Sequence, residues 1–221
     1  MSNMTIIRNF DQKCSVCGKA SPQPILASTN TSGYPDLDLR PSEMQRSTMG
    51  TWIHECPHCG YAAEDLEEDH NVSMDFLKSD GYIACDGHDF KSDLSKLFYR
   101  RYLIAEHEND VMMCFVSLRN CAWKCDDYED ENAVAIRKQA IRYLDVMIRT
   151  YEEERNSLLV TKSDFLRRSG EFEKLIGEYE GLTLGDELLD NIIQFQLERA
   201  REGDASCYTV GDVLERQSHG L

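Results

Sequence analysis

Long apolar runs are missing from this 221-residue chain. No stretch approaches the ~18 apolar residues that a membrane-spanning helix needs. The amino-terminal MSNMTIIRNFDQKC lacks the basic segment and apolar run of a secretion signal. A cytoplasmic protein with no membrane contact is therefore expected. Positive charge is scarce as well: 24 Lys and Arg stand against 40 Asp and Glu, for a formal net charge of -16. The deficit is uneven. Residues 1–63 balance five bases (Arg8, Lys13, Lys19, Arg40, Arg46) against five acids (Asp11, Asp36, Asp38, Glu43, Glu55), so residues 64–221 hold 19 bases and 35 acids. A body that acidic repels phosphate backbones, and no Lys/Arg cluster interleaved with aromatics offsets it. Nucleic acid is disfavoured as a partner, and if bound it would meet the first 63 residues. There is also no Gly-rich phosphate loop, no Gly-x-Ser-x-Gly and no paired-carboxylate pattern. No catalytic residue is assigned.

Cysteine is what the chain has in quantity. Nine is an odd number, and in a reducing compartment thiols stay free, so pairs at ligand spacing point to metal. Two such pairs stand out: Cys14-Ser15-Val16-Cys17-Gly18 and Cys56-Pro57-His58-Cys59-Gly60. Two thiolates three positions apart on a tight turn both reach one ion at ~2.3 Å. The glycine after each pair tolerates the positive φ that such a turn requires. Four sulfurs from two turns make a tetrahedron that suits one Zn2+. Iron in a rubredoxin-like site takes the same ligands, so spacing leaves the metal open between the two. With Cys14, Cys17, Cys56 and Cys59 all bound the shell is closed to water and substrate, which makes the metal structural. The 38 residues between Cys17 and Cys56 are long for a zinc ribbon and predict an extended excursion. His54-Glu55-Cys56-Pro57-His58 spells the His-Glu-x-x-His of metalloproteases, but that motif needs a helix and here contains Pro57 and a committed cysteine.

Texture divides the chain in two. Residues 1–63 are rich in Ser, Thr, Pro and Gly and read as loops and short strands, with strand character over Thr51–Glu55. From 64 to 221 apolar residues recur at spacings of three and four. Helices are predicted near Ser92–His107 with Ser92 as N-cap, then Val111–Lys124, Asn132–Glu154, Ser157–Arg168, Glu171–Tyr179 and Leu184–Arg201, with a last one starting at Thr209 or Val210. Short polar breaks between them predict antiparallel hairpins. The expected fold is α+β and mainly α: a zinc-ribbon-like module with a long internal loop over 1–63, then helical hairpins over 64–221, either TPR-like or an irregular bundle.

Other groupings are weaker. Cys85 and His88 have the spacing of half a metal site, without an evident second half. Cys114, Cys121 and Cys125 fall at i, i+7 and i+11 on one helical face, where core packing is expected. Asp126–Glu131 is an acidic run without the central Gly of a calcium loop and reads as a solvated turn. Tyr34-Pro35-Asp36-Leu37-Asp38-Leu39-Arg40-Pro41 places an aromatic, two acids and an arginine inside the long loop. Loops on a rigid base often carry function, so Asp38 and Arg40, with Trp52, are candidate binding residues. The competing reading is that Asp38 and Arg40 form internal salt bridges that order the loop.

Asp38-Leu39-Arg40-Pro41, followed by Cys56-Pro57-His58-Cys59-Gly60-Tyr61-Ala62-Ala63, resembles an uncharacterised bacterial family in which two Cys-x2-Cys pairs precede a TPR-like helical region. Ala122-Trp123, Asp126-Asp127 and Arg167-Arg168-Ser169-Gly170-Glu171-Phe172 are similar to that family's tail. The resemblance implies a bacterial protein of two parts and carries no activity. Three functions follow as expectations. The first is an adaptor whose helices take a protein or peptide partner. The second is an enzyme with a site where the two parts join, near Asp38, Arg40 and Trp52. The third is a nucleic-acid-binding zinc ribbon.

Overall fold

The structure is a computed structural model, and it describes residues 5–218. It is mainly α-helical with a small β component. Contacts divide the chain into two compact units. One comprises Met1–Thr31 with Glu43–Ala133, the other Ser32–Ser42 with Val134–Leu221. This division follows contacts, whereas the 1–63 and 64–221 split follows composition.

The first unit opens with β1 (Ile6–Lys13) paired antiparallel to β2 (Ala20–Ser28), in register from Ile6↔Ser28 to Lys13↔Ala20, with an irregularity between Ile6 and Ile7. Proline is normally excluded from a sheet interior because it cannot donate to the ladder. β2 nevertheless carries Pro22 and Pro24, and a two-stranded ribbon tolerates them because both its strands are edges. On either side of Pro22 the period-2 pattern turns Ser21 and Gln23 inward, where Gln23 Nε2 donates to Ser21 Oγ at 3.0 Å and to the Glu55 carbonyl at 3.3 Å. The strand expected over Thr51–Glu55 is shorter than its residues suggest. A 3-10 turn occupies Arg46–Thr51, and only β3 (His54–Glu55) is extended, pairing with β4 (Ala62–Ala63).

Two short helices follow that apolar periodicity does not reveal, α1 (Met74–Leu77) and α2 (Asp80–Ala84). Each begins at a serine whose hydroxyl accepts a backbone N–H, Ser73 from Phe76 and Ser79 from Tyr82. Next come α3 (Asp93–Glu108) and α4 (Val111–Asp127), packed on each other as a hairpin. Ser92 caps α3 as expected, accepting from Leu94 N. Asn109 ends α3 in the left-handed conformation at φ 59, and Asp110 caps α4 through Met113 N at 2.9 Å. Phe98, Tyr102, Ile104, Phe115, Leu118 and Trp123 are buried in this unit. Each contributes at most about 1.5–3 kcal/mol relative to exposure. Cys114, Cys121 and Cys125 are buried beside them, in keeping with the core reading. The acidic run departs from its expected solvated turn at both ends, since Asp126 and Asp127 still belong to α4 and Asp130 turns inward. Asp130 is buried, accepting from Lys91 N at 2.8 Å and Asn132 N at 3.0 Å.

The division falls in the first turn of α5 (Asn132–Thr150). In the second unit α6 (Arg155–Arg168), α7 (Phe172–Tyr179) and α8 (Glu187–Arg201) pack against one another, and α9 (Val210–Ser218) packs on α8. Between α6 and α7 lies the break predicted at Ser169-Gly170, with Gly170 at φ 75. Phe165, Leu166, Leu175, Tyr179, Ile193 and Leu197 form its core. Among the described residues no helix is long and apolar enough to cross a membrane.

Candidate metal centre

Each cysteine pair is the connection of a hairpin. Cys14–Lys19 joins β1 to β2, and Cys56–Tyr61 joins β3 to β4. The two turns share one hydrogen-bond pattern. Cys14 N donates to the Lys19 carbonyl at 2.9 Å and Gly18 N to the Cys14 carbonyl at 2.8 Å. In the second turn Cys56 N donates to the Tyr61 carbonyl and Gly60 N to the Cys56 carbonyl, both at 2.9 Å. Gly18 at φ 71 and Gly60 at φ 77 occupy the left-handed region that the motif requires.

All four Sγ atoms lie within 4.8 Å of one another. Cys14 Sγ is 3.7 Å from Cys59 Sγ, and Cys17 Sγ is 3.6 Å from Cys56 Sγ. Sulfurs placed ~2.3 Å from a central ion in a tetrahedron are about 3.8 Å apart. The donor set and its spacing therefore fit a metal ion, and four thiolates suit zinc or iron equally. Burial raises the Cys14 and Cys59 thiols above the usual range. At Cys17 burial acts in the same sense but is outweighed by hydrogen bonds led by the Lys19 N–H, and the thiol is lowered. A bound cation would supply the charge that the two raised thiols otherwise lack.

Side chains outside the sulfur shell fix the second turn. Tyr61, fully buried, donates its hydroxyl to the Glu68 carbonyl at 2.6 Å. Tyr82, carried on α2, donates to the Gly60 carbonyl at 2.6 Å. Arg100 of α3 lies over the Tyr82 ring and pairs with Glu55. The unrecognised helix α2 thus has a task that its serine cap could have signalled: it delivers Tyr82 to the knuckle.

His54 and His58 do not form a protease motif. His54 is buried on β3 and His58 is exposed in the turn, so no helix face unites them. Among the described residues Cys85 and His88 gain no third ligand at metal-binding distance. His88 Nδ1 instead meets Asn132 Oδ1 at 2.8 Å.

Trp52 follows the 3-10 turn of the first unit and donates its Nε1–H to Thr48 Oγ1 at 3.0 Å. Asp38 and Arg40 belong to the second unit. Asp38 is 0% exposed, with Oδ2 2.8 Å from Arg168 Nη1 and 3.9 Å from Arg137 Nη2. Arg40 is also buried, and its backbone N–H donates to Asp38 Oδ1 at 3.3 Å. Beside them Asp164 Oδ1 accepts from Arg167 Nη2 at 2.9 Å and from Gln196 Nε2 at 3.0 Å. Arg137, Asp164, Arg167 and Arg168 are the residues that sequence reasoning missed. A signal existed: Arg137 sits inside the α5 apolar stripe of Ala133, Ile136, Ala140 and Leu144. An arginine buried there must find an anion.

No protein-family model matches this chain, and no curated protein or solved structure matches it.

Proposed function

We propose that this chain is a non-catalytic adaptor of the bacterial cytoplasm, in which one structural Zn2+ clips the two hairpins and the helical unit takes a protein or peptide partner. Closed coordination supports the structural role, since four protein sulfurs leave no position for a reacting water. The adaptor reading rests chiefly on one observation: the second unit already holds a stretch of non-helical chain, with Asp36 bridged antiparallel to Thr209. Main-chain pairing of this kind is a general mode of peptide recognition. The packing of α6, α7, α8 and α9 in one helical unit and the resemblance to the uncharacterised bacterial family support it. Elemental analysis of the purified chain is expected to return about one zinc per chain and no iron. Cys59→Ser should lose the metal and unfold the hairpins, because metal-binding energy in such modules is folding energy. Full zinc retention by Cys59→Ser would overturn the four-cysteine assignment. Affinity capture with the full chain, followed by titration of the purified partner, tests the adaptor role; recovery of no protein partner counts against it.

A further inference from the structure

We propose that the outer edge of β1 is a strand-addition site, and that it takes an extended acidic segment of a partner protein with apolar residues at alternate positions. This surface belongs to the first unit, so the proposal goes beyond the adaptor reading, which gives its partner to the helical unit. The two edges of the β1–β2 ribbon are not alike. Antiparallel pairing turns the N–H and C=O of alternate residues toward the ladder and away from it. Two hydrogen bonds fix which are which. Cys14 N donates across the turn to the Lys19 carbonyl, whereas Lys13 N turns away from its partner Ala20 and donates to Glu67 Oε1 at 3.0 Å. Stepping back by twos from Lys13 puts Asp11, Asn9 and Ile7 on the outer edge of β1, and their partners Pro22, Pro24 and Leu26 on the outer edge of β2. Two of the three outward positions of β2 are therefore prolines, which offer no N–H to a further strand. β1 keeps a donor and an acceptor at all three, and among the described residues nothing outside the ribbon hydrogen-bonds to them. Ile7 through Asp11 are exposed.

Side chains define the occupant. Alternation sets Arg8 and Phe10 on one face of β1, and Ile7, Asn9 and Asp11 on the other, where Leu26 and Pro24 of β2 lie opposite Ile7 and Asn9. Ile7 is 48% exposed and Phe10 53%. An added strand is stabilised by acids beside Arg8 and by apolar side chains beside Ile7, where the Asp11 carboxylate repels a further acid. Charge agrees at longer range. The ribbon carries Arg8, Lys13 and Lys19 against Asp11, a cationic patch in a chain of net charge -16. The same balance disfavours a second copy as occupant, because two chains of -16 repel each other. Glu67 shows the chemistry in cis: its carboxylate already takes the Lys13 N–H, the outward donor nearest the turn. That cover ends at Lys13, and the partner segment takes the edge from Asp11 to Ile7.

The test uses the metal-loaded full chain and a fluorescein-labelled peptide of about eight residues alternating Glu and Val, read by anisotropy. Wild type should bind it, and should bind the same peptide with Lys in place of Glu about tenfold more weakly or less. Asn9→Pro removes an outward N–H and spares the β1–β2 ladder, as Pro22 and Pro24 do in β2. It should weaken binding about tenfold, while Asn9→Ala leaves it unchanged. Arg8→Glu should weaken binding about as much as Asn9→Pro. A second arm does not depend on any variant folding. Peptide residues that bond to Ile7, Asn9 and Asp11 share their face, so they are the Val positions. N-methylation of the Val amides should abolish binding, and N-methylation of the Glu amides should leave it. No binding to wild type, or equal loss from both methylated peptides, overturns the proposal. Wild-type dimers that Asn9→Pro disperses would make a second copy the occupant and overturn it. An oligonucleotide that binds through Arg8 and Lys13 where the acidic peptide does not also overturns it. A partner captured by the helical unit with no peptide on the ribbon overturns strand addition and leaves the adaptor reading standing. Peptide binding with no captured partner does the reverse.

Discussion

Seven non-glycine residues of the described chain have positive φ, and two of them separate strain that can be relieved from strain that is built in. At Leu39 (φ 69) the side chain is exposed and contributes little packing. The left-handed region costs a branched or bulky residue roughly 1–2 kcal/mol, whereas asparagine tolerates it. Leu39→Asn is therefore expected to raise stability by about 0.5–1 kcal/mol, seen as a higher urea midpoint with unchanged slope. Leu39→Gly relieves the same strain but gives back about 0.4–1 kcal/mol through a freer unfolded chain, so its net effect should be smaller. A midpoint lowered by the asparagine would mean that Leu39 contributes packing its exposure does not reveal. Cys85 (φ 49) is the opposite case. It is fully buried, its thiol 3.9 Å from the Tyr82 and Lys96 carbonyls, and burial raises the thiol above its usual range. Replacing it with glycine would relieve the backbone but leave a cavity, and the cavity costs more than the relief returns.

Between elements, the second unit is tied together by one guanidinium. Arg167 of α6 is 0% exposed. It donates to Gln196 of α8, to Asp164 one turn earlier, and through Nη1 to the Asp204 and Ser206 carbonyls at 2.9 and 2.8 Å. Removing one partner of a buried ion pair strands the other, at a cost of about 3–5 kcal/mol. Arg167→Ala should lose that much in urea unfolding, and Arg167→Lys should recover little, because a single ammonium cannot reach three directions at once. Substantial rescue by lysine would reduce the network to a generic positive charge. The same network marks where sequence reading stops. The knuckles were legible because Cys-x2-Cys-Gly is local: the turn geometry and both ligands lie within five residues. The long helices were legible because periodicity over fifteen residues averages out single exceptions. The contacts of Asp38 were not, since Arg168 lies 130 positions away and no local pattern encodes such a pairing. The four- and five-residue helices α1 and α2 are too short for a period to register, and their serine caps, the one local signal present, went unread.

At the scale of the whole chain, charge bears on the nucleic-acid alternative and bounds it. Phosphate contacts release counterions, so log K falls against log salt with a slope of about -0.9 per contact on duplex DNA. The 64–221 segment, with 35 acids against 19 bases, opposes approach, and the β1–β2 hairpin is the surface best placed to make contact. That hairpin exposes Arg8, Lys13, Lys19 and Phe10, with Asp11 among them. Three cations set a ceiling of about -2.7 on the slope, and Asp11 lowers it further. Proteins that bind nucleic acid non-specifically have Kd values of roughly 10⁻⁴ to 10⁻⁶ M at physiological salt while making more contacts than this. The metal-loaded chain at ~10 μM should therefore leave single- and double-stranded oligonucleotides unshifted at about 0.15 M salt. A shift with a slope steeper than three contacts permit would require a cationic surface beyond the hairpin. A shift within the three-contact limit would return the function to the two cysteine hairpins.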